Sequence, residues 1–103
     1  MALHELPLER RTLHGHFSPD LEPVASVEPG DSVAFATLDA GWGSAGEAGE
    51  RQLFKPRRRR LDGGHALVGP LEVRGAKAGG TLAVTVEELQ VGGYGWTSAG
   101  DAA

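Results

Sequence analysis

Two side chains of this sequence have the type and setting for metal binding or acid–base chemistry. Asp39 ends a strand-like run at Thr37-Leu38-Asp39-Ala40-Gly41, and His65 stands in the loop Gly63-Gly64-His65-Ala66. A carboxylate at a strand end, facing a glycine loop, can bind a metal or position a water, because the scaffold holds it rigidly. The same carboxylate can instead cap backbone amides in an Asx turn. Neutral imidazole is a common metal ligand and a common general base. Gly64 beside His65 lets backbone or substrate approach closely; the alternative is an ordinary exposed loop histidine. His14 and His16 stand two apart, so a strand would project both to one side. Such a pair either shares a metal or faces solvent. Trp42 and Trp96 each follow a glycine. They either wall a small apolar pocket or cap the ends of a core.

Composition narrows what can surround these residues. The chain has 103 residues, enough for one domain. A domain of this size buries only about 65% of its unfolded surface. Sixteen glycines suit many tight turns better than helices. The net charge is −4, so no general affinity for nucleic acid or anionic membrane is expected. There is no cysteine, which excludes disulfides, thiolate metal sites and a cysteine nucleophile. A cysteine-free chain fits the cytoplasm. The N-terminus reads as no signal peptide, and no run of about 18 apolar residues exists to span a membrane.

The elements that must position these residues read as short strands joined by glycine turns. Residues 11–17 alternate loosely. In Glu28-Pro29-Gly30-Asp31, proline presets the first central position and glycine tolerates positive φ at the second, as a type II turn requires. A strand over 32–38 is expected to leave that turn. Lys77-Ala78-Gly79-Gly80-Thr81-Leu82-Ala83-Val84 repeats the same plan, a glycine turn launching a strand. The strongest strand pattern covers 81–89, with Leu82, Val84 and Val86 on one face. Gly69-Pro70 reads as architectural, since proline fixes φ at a strand start and has no amide to leave unpaired. Residues 41–49 and the stretch from Gly92 onward read as loops. Arg57-Arg58-Arg59-Arg60 lacks interleaved aromatics and reads as a solvated or salt-bridged loop rather than a nucleic-acid patch. No helical period is sustained. The expectation is an all-β domain, a β-sandwich or jelly-roll-like fold with glycine-rich loops and little helix. Residues 1–10 are expected to be flexible, 11–100 to form the single β domain, and 101–103 to fray.

Several of these segments together resemble a known family. Gly63 to Pro70 is followed by Leu71-Glu72-Val73-Arg74-Gly75-Ala76, so Val-Gly-Pro-Leu and Val-Arg-Gly-Ala stand in register. Upstream lie Phe17-Ser18-Pro19-Asp20 and Glu28 through Ala40, and downstream Thr81 through Val86. Residues 14–100 resemble the N-terminal part of the acetamidase/formamidase family, whose members are considerably longer. Gly80 departs from the family, where many relatives carry aspartate. The resemblance implies a β-rich, metal-associated hydrolase that splits short linear amides to carboxylate and ammonia. It implies a divalent metal, zinc, activating water, with Asp39 as ligand or base and His65 as ligand or proton shuttle. It places Asp39 and His65 in the catalytic cleft, with Trp42, Gly64 and Trp96 against the small amide substrate. The partner expected is a homo-oligomer mate or a complementary downstream half. The reading from another class is a catalytically silent β module that oligomerises or binds a partner chain.

Overall fold

A computed structural model describes residues 1–45, 50–58, 60–93, 95–97 and 99–100. Among these residues it bears out the all-β expectation, with eight short strands and one 3-10 turn at Arg10–Thr12. The strands are β1 (Leu3–Leu6), β2 (Leu13–His14), β3 (Ala25–Val27), β4 (Ser32–Phe35), β5 (Gly43–Ala45), β6 (Arg51–Leu53), β7 (Leu67–Val68) and β8 (Leu71–Val73). They pair as four two-stranded ribbons. β1 runs parallel to β4 and β3 parallel to β8, while β2 with β7 and β5 with β6 are antiparallel.

The Glu28–Asp31 turn forms as expected. Gly30 has φ +91°, and the Asp31 amide donates to the Glu28 carbonyl at 3.0 Å. The second turn of the same plan also forms. Gly79 has φ +84°, and the Gly80 amide donates to the Lys77 carbonyl at 3.0 Å. Only glycine accepts such φ without Cβ strain. The two turns then diverge. β4 follows the first, whereas residues 81–91 follow the second and, among the described residues, join no ladder; all of them are exposed. This corrects the strongest strand expectation. Alternation prescribes which face is apolar, but a strand exists only where another backbone satisfies its amides and carbonyls. A globule of this length has a radius of gyration near 13 Å. The value here is 15.7 Å, in keeping with the unpacked stretch.

The N-terminus also differs from the flexible segment expected. Asp31 organises it. Its carboxylate accepts from the Ala2 amide at 2.9 Å, from the Glu28 amide at 3.0 Å, and lies 2.8 Å from His4 Nε2. The Ala2 amide bond, then the His4 and Glu28 bonds, hold the Asp31 carboxyl well below the usual carboxylate range. β1 is thereby laid beside β4, Leu3 opposite Ser32 and Leu6 opposite Phe35. The loop expected over 41–49 instead supplies β5, which folds back on β6; residues 46–49 and the expected frayed end at 101–103 lie outside the described residues.

The core is small. Leu13, Leu38 and Trp42 form its centre, with Leu8, Phe54, Ala66 and Val68 packed against them. Trp42 is fully buried and lies under two guanidinium groups, Arg10 at 5.4 Å and Arg57 at 4.9 Å from its ring centroid. Much of the arginine run is thus spent inside the chain: Arg57 stacks on Trp42, and Arg58 binds Asp62. Arg59 lies outside the described residues.

Candidate functional site

Asp39 sits in a tight reversal between Leu38 of the core and β5. The Trp42 amide donates to the Asp39 carbonyl at 3.0 Å, and the Asp39 amide donates to the Gly43 carbonyl at 2.8 Å. Oδ1 accepts from the amides of Gly41 (2.9 Å) and Gly43 (3.0 Å), so the carboxylate caps its own turn. Arg51 approaches from β6 and grips both oxygens, Nε to Oδ2 at 2.7 Å and a terminal nitrogen to Oδ1 at 2.9 Å. This two-pronged contact is the strong form of the ion pair. Trp96 returns from the far end of the chain, and its indole N–H donates to Oδ2 at 3.0 Å. The Arg51 guanidinium also lies 4.9 Å from the Trp96 ring centroid. Gly43 is required here, because a Cβ on it would fall 2.4 Å from Arg51 Nε and 2.8 Å from Asp39 Oδ2.

These donors decide the protonation of Asp39. The Arg51 bond, with those from Gly43, Trp96 and Gly41, outweighs desolvation and keeps its carboxyl far below the ordinary range. The group is ionised throughout the neutral region and is a weak base. Because its folded pKa is depressed, its stabilising contribution is present above the unfolded value of 3.8 and fades as pH falls through the lowered one. Asp39→Ala is expected to cost about 1–2 kcal/mol at pH 7. The difference from wild type should shrink toward pH 2. Urea melts of both proteins at the two pH values measure it; an equal difference at both would contradict the assignment.

Two clefts flank this region. An open cleft of about 740 Å³ is lined by Thr37, Asp39, Ser44, Trp96 and Thr97, among others. A smaller one of about 330 Å³ lies between Gly15, His16 and Phe17 on one side and Gly64, His65 and Leu67 on the other. Backbone bonds hold its floor: the Gly64 amide donates to Gly15 at 2.8 Å, and the Gly15 amide to Leu61 at 2.9 Å. The structure therefore brings Asp39 and Trp96 together, and Gly64 and His65 together, in separate clefts. His65 is exposed. Trp42 lines neither cleft but connects them from within the core. Its amide reaches Asp39, and its indole N–H donates to the Gly64 carbonyl at 2.8 Å.

The two upstream histidines divide. His14, on β2, is 7% exposed, and its Nδ1 has no hydrogen-bond partner. Burial, followed by the neighbouring His16, lowers its pKa from 6.5, so it is neutral at pH 7. His16 Nδ1 donates to the Leu61 carbonyl at 2.8 Å. Among the described residues no three histidine, aspartate or glutamate side chains gather as a metal site.

Sequence reading misses two residues of consequence. Arg51 is one, because its reach to Asp39 depends on the β5–β6 pairing; an arginine closing a glycine-rich hairpin is the only signal. Asp62 is the other. It is buried among Arg10, Arg57 and Arg58, and an acid two residues beyond an arginine run is its signal.

The profile of the family described as the Acetamidase/Formamidase family matches residues 3–101. The chain belongs to the acetamidase/formamidase family. The match takes in both clefts, the Asp39–Arg51 clamp and the exposed stretch over 81–91. A relative in Schizosaccharomyces pombe, named "putative formamidase", is 28% identical over 82 residues, which are 80% of this chain and 20% of that protein. This acetamidase/formamidase chain thus spans about one fifth of the length of that relative. No solved structure matches it. Among the described residues no helix is long and apolar enough to cross a membrane.

Proposed function

We propose that this chain supplies the N-terminal β portion, layered as a sandwich in the whole fold, of an amidohydrolase. The enzyme splits short linear amides to carboxylate and ammonia. The observation that carries the proposal is the family match over nearly the whole length, residues 3–101. Cysteine-free composition supports a cytoplasmic setting.

Amide hydrolysis needs a nucleophilic water, a polarised carbonyl and a proton for the departing nitrogen. A short amide offers one carbonyl acceptor and N–H donors. The larger cleft suits it: the Trp96 ring is an apolar wall, and Thr37, Ser44 and Thr97 bring hydroxyls that both donate and accept. Asp39, saturated with donors, serves there by fixing Arg51 and Trp96 at the rim. His65, an exposed imidazole whose ring nitrogens can both give and take a proton, serves as the proton shuttle. The two line different clefts, so joint action requires those clefts to close around one substrate.

The zinc or other divalent metal that the resemblance implies does not fit the described residues alone. No three ligand side chains gather, and the Asp39 oxygens already accept from Arg51, Trp96 and two amides. No metal step is therefore assigned to Asp39 or His65. The second reading, a silent β module, is favoured by one observation, the exposed apolar stretch over 81–91.

The test is ammonia release from formamide and acetamide by the purified chain, with and without a chelator. The proposal expects release that falls about a hundredfold in His65→Ala. Absence of release would remove the enzyme reading for this chain and leave the module.

A further inference from the structure

The smaller cleft differs in charge from the larger one. The larger carries the Asp39 carboxylate in its wall. Among the described residues no carboxylate lines the smaller, where His16 stands on one side and His65 on the other. Its surroundings are cationic although the whole chain carries −4. Gly15, in its floor, rests on the Asp62 backbone, which a Cβ would meet at 2.6 Å. Around Asp62 gather Arg10, Arg57 and Arg58, three guanidinium groups against one carboxylate. A cleft backed by one sign of charge concentrates ions of the other sign. His16 is held for the same task. Its Nδ1–H is committed to the Leu61 carbonyl at 2.8 Å, which leaves Nε2 to meet a ligand. A neutral ring bonded in this way offers a lone pair at Nε2, and a protonated ring offers a second N–H there.

We propose that the smaller cleft binds a short-chain carboxylate, its two oxygens held between the protonated rings of His16 and His65. Each ring donates one charge-assisted N–H, His16 from Nε2. Phe17 and Leu67 give the alkyl end an apolar wall. Two donors and an apolar wall suit a carboxylate better than sulfate or phosphate, whose additional oxygens need further donors. Of the other titratable groups nearby, His14 is buried next to Gly15 and stays neutral, because burial and then His16 lower its pKa. Asp62 is ionised and paired with Arg10 and Arg58. Binding therefore follows the protonation of His16 and His65 and weakens as the pH is raised. The inference stands on the chemistry of this cleft and is independent of the amidase reading.

The four histidines are the reporters. Their ring nitrogen–proton NMR signals are followed while sodium acetate replaces sodium chloride at constant ionic strength. His16 and His65 should shift along one saturable curve, complete below about 100 mM acetate. His4, engaged with Asp31, should not move. His65→Leu changes an exposed loop side chain and should weaken acetate binding, read at His16, by about tenfold or more. His16→Leu should do the same, read at His65. Acetone has the shape of acetate without its charge and should bind about tenfold more weakly or worse. His16 and His65 signals that stay put overturn the proposal, as does an acetate affinity unchanged in His65→Leu. Equal binding of acetone overturns it too, since such a cleft selects shape and not charge.

Discussion

Trp42→Ala is expected to destabilise the protein by about 3–5 kcal/mol, the usual cost of deleting a fully buried aromatic side chain. Small domains hold about 5–15 kcal/mol in total. The variant should therefore be marginal at 25 °C, with its thermal midpoint lowered by roughly 15 °C or more. The size of the effect follows from the position. Trp42 is completely buried, packs on Leu13 and Leu38, and carries the Arg10 and Arg57 guanidinium groups on its ring. Its indole N–H is the link to Gly64, and its φ of +68° is tolerated because the surrounding bonds over-determine the turn. Trp42→Phe separates packing from hydrogen bonding, keeping a ring while leaving the Gly64 carbonyl without its indole donor, at about 1–3 kcal/mol. Only two tryptophans exist, so in either variant Trp96 becomes the sole tryptophan reporter of unfolding. A Trp42→Ala midpoint within a few degrees of wild type would show that the core does not rest on this side chain.

Asp62→Ala is expected to cost about 3 kcal/mol at neutral pH. Its carboxylate is completely buried, with Arg10 at 2.9 Å and Arg58 at 3.2 Å, and the Arg58 amide donates to it at 2.7 Å. Removing it leaves guanidinium groups facing one another across a desolvated space, the circumstance in which breaking a buried pair is expensive. Partial exposure of Arg10 and Arg58 holds the figure at the low end of that range. The pH dependence has a definite sign. Burial pushes the Asp62 carboxyl up, but the Arg58 side-chain and amide bonds, with the Arg10 and Arg58 charges, outweigh it and leave it lowered from 3.8. Its stabilisation is therefore complete above that value and lost as pH falls below it. Urea melts should show a large wild-type to Asp62→Ala gap at pH 7 and a smaller one near pH 2. A gap that is constant with pH would mean the loss is one of packing alone.

The fold was legible in the sequence wherever local chemistry decides it. Pro29-Gly30 forms the turn its residue types demand, and β4 starts at Ser32 as the pattern requires. Gly69-Pro70 delivers the chain into β8. What was not legible is pairing. Nothing local in Leu3-His4-Glu5-Leu6 announces a strand; it becomes one because Asp31, far along the chain, binds the Ala2 amide and His4. The 81–89 pattern errs in the opposite direction, since its alternation is ideal and no partner backbone among the described residues pairs with it. The same limit applies to the site. Asp39 and its Asx-type turn could be read from Asp-Ala-Gly-Trp-Gly, and Trp96 could be read as an aromatic near a pocket. Their convergence on Arg51 could not, because it depends on a hairpin and on a long return. His65 and Asp39 share a family pattern in sequence, yet stand in different clefts, since spacing along a chain carries no information about which loops face one another.

The return of Trp96 to Asp39 has a consequence for how the apolar stretch meets anything that pairs with it. With the Arg74 amide donating to the Val27 carbonyl at 2.9 Å and the Trp96 indole held at 3.0 Å, the stretch is a closed loop rather than a tail. A tail would lose most of its chain entropy at the moment of pairing. Here much of that loss is already met in the folded monomer, by the closure itself. A partner strand thus encounters a backbone whose ends are fixed, and an incremental pairing free energy need offset only the remaining local freedom.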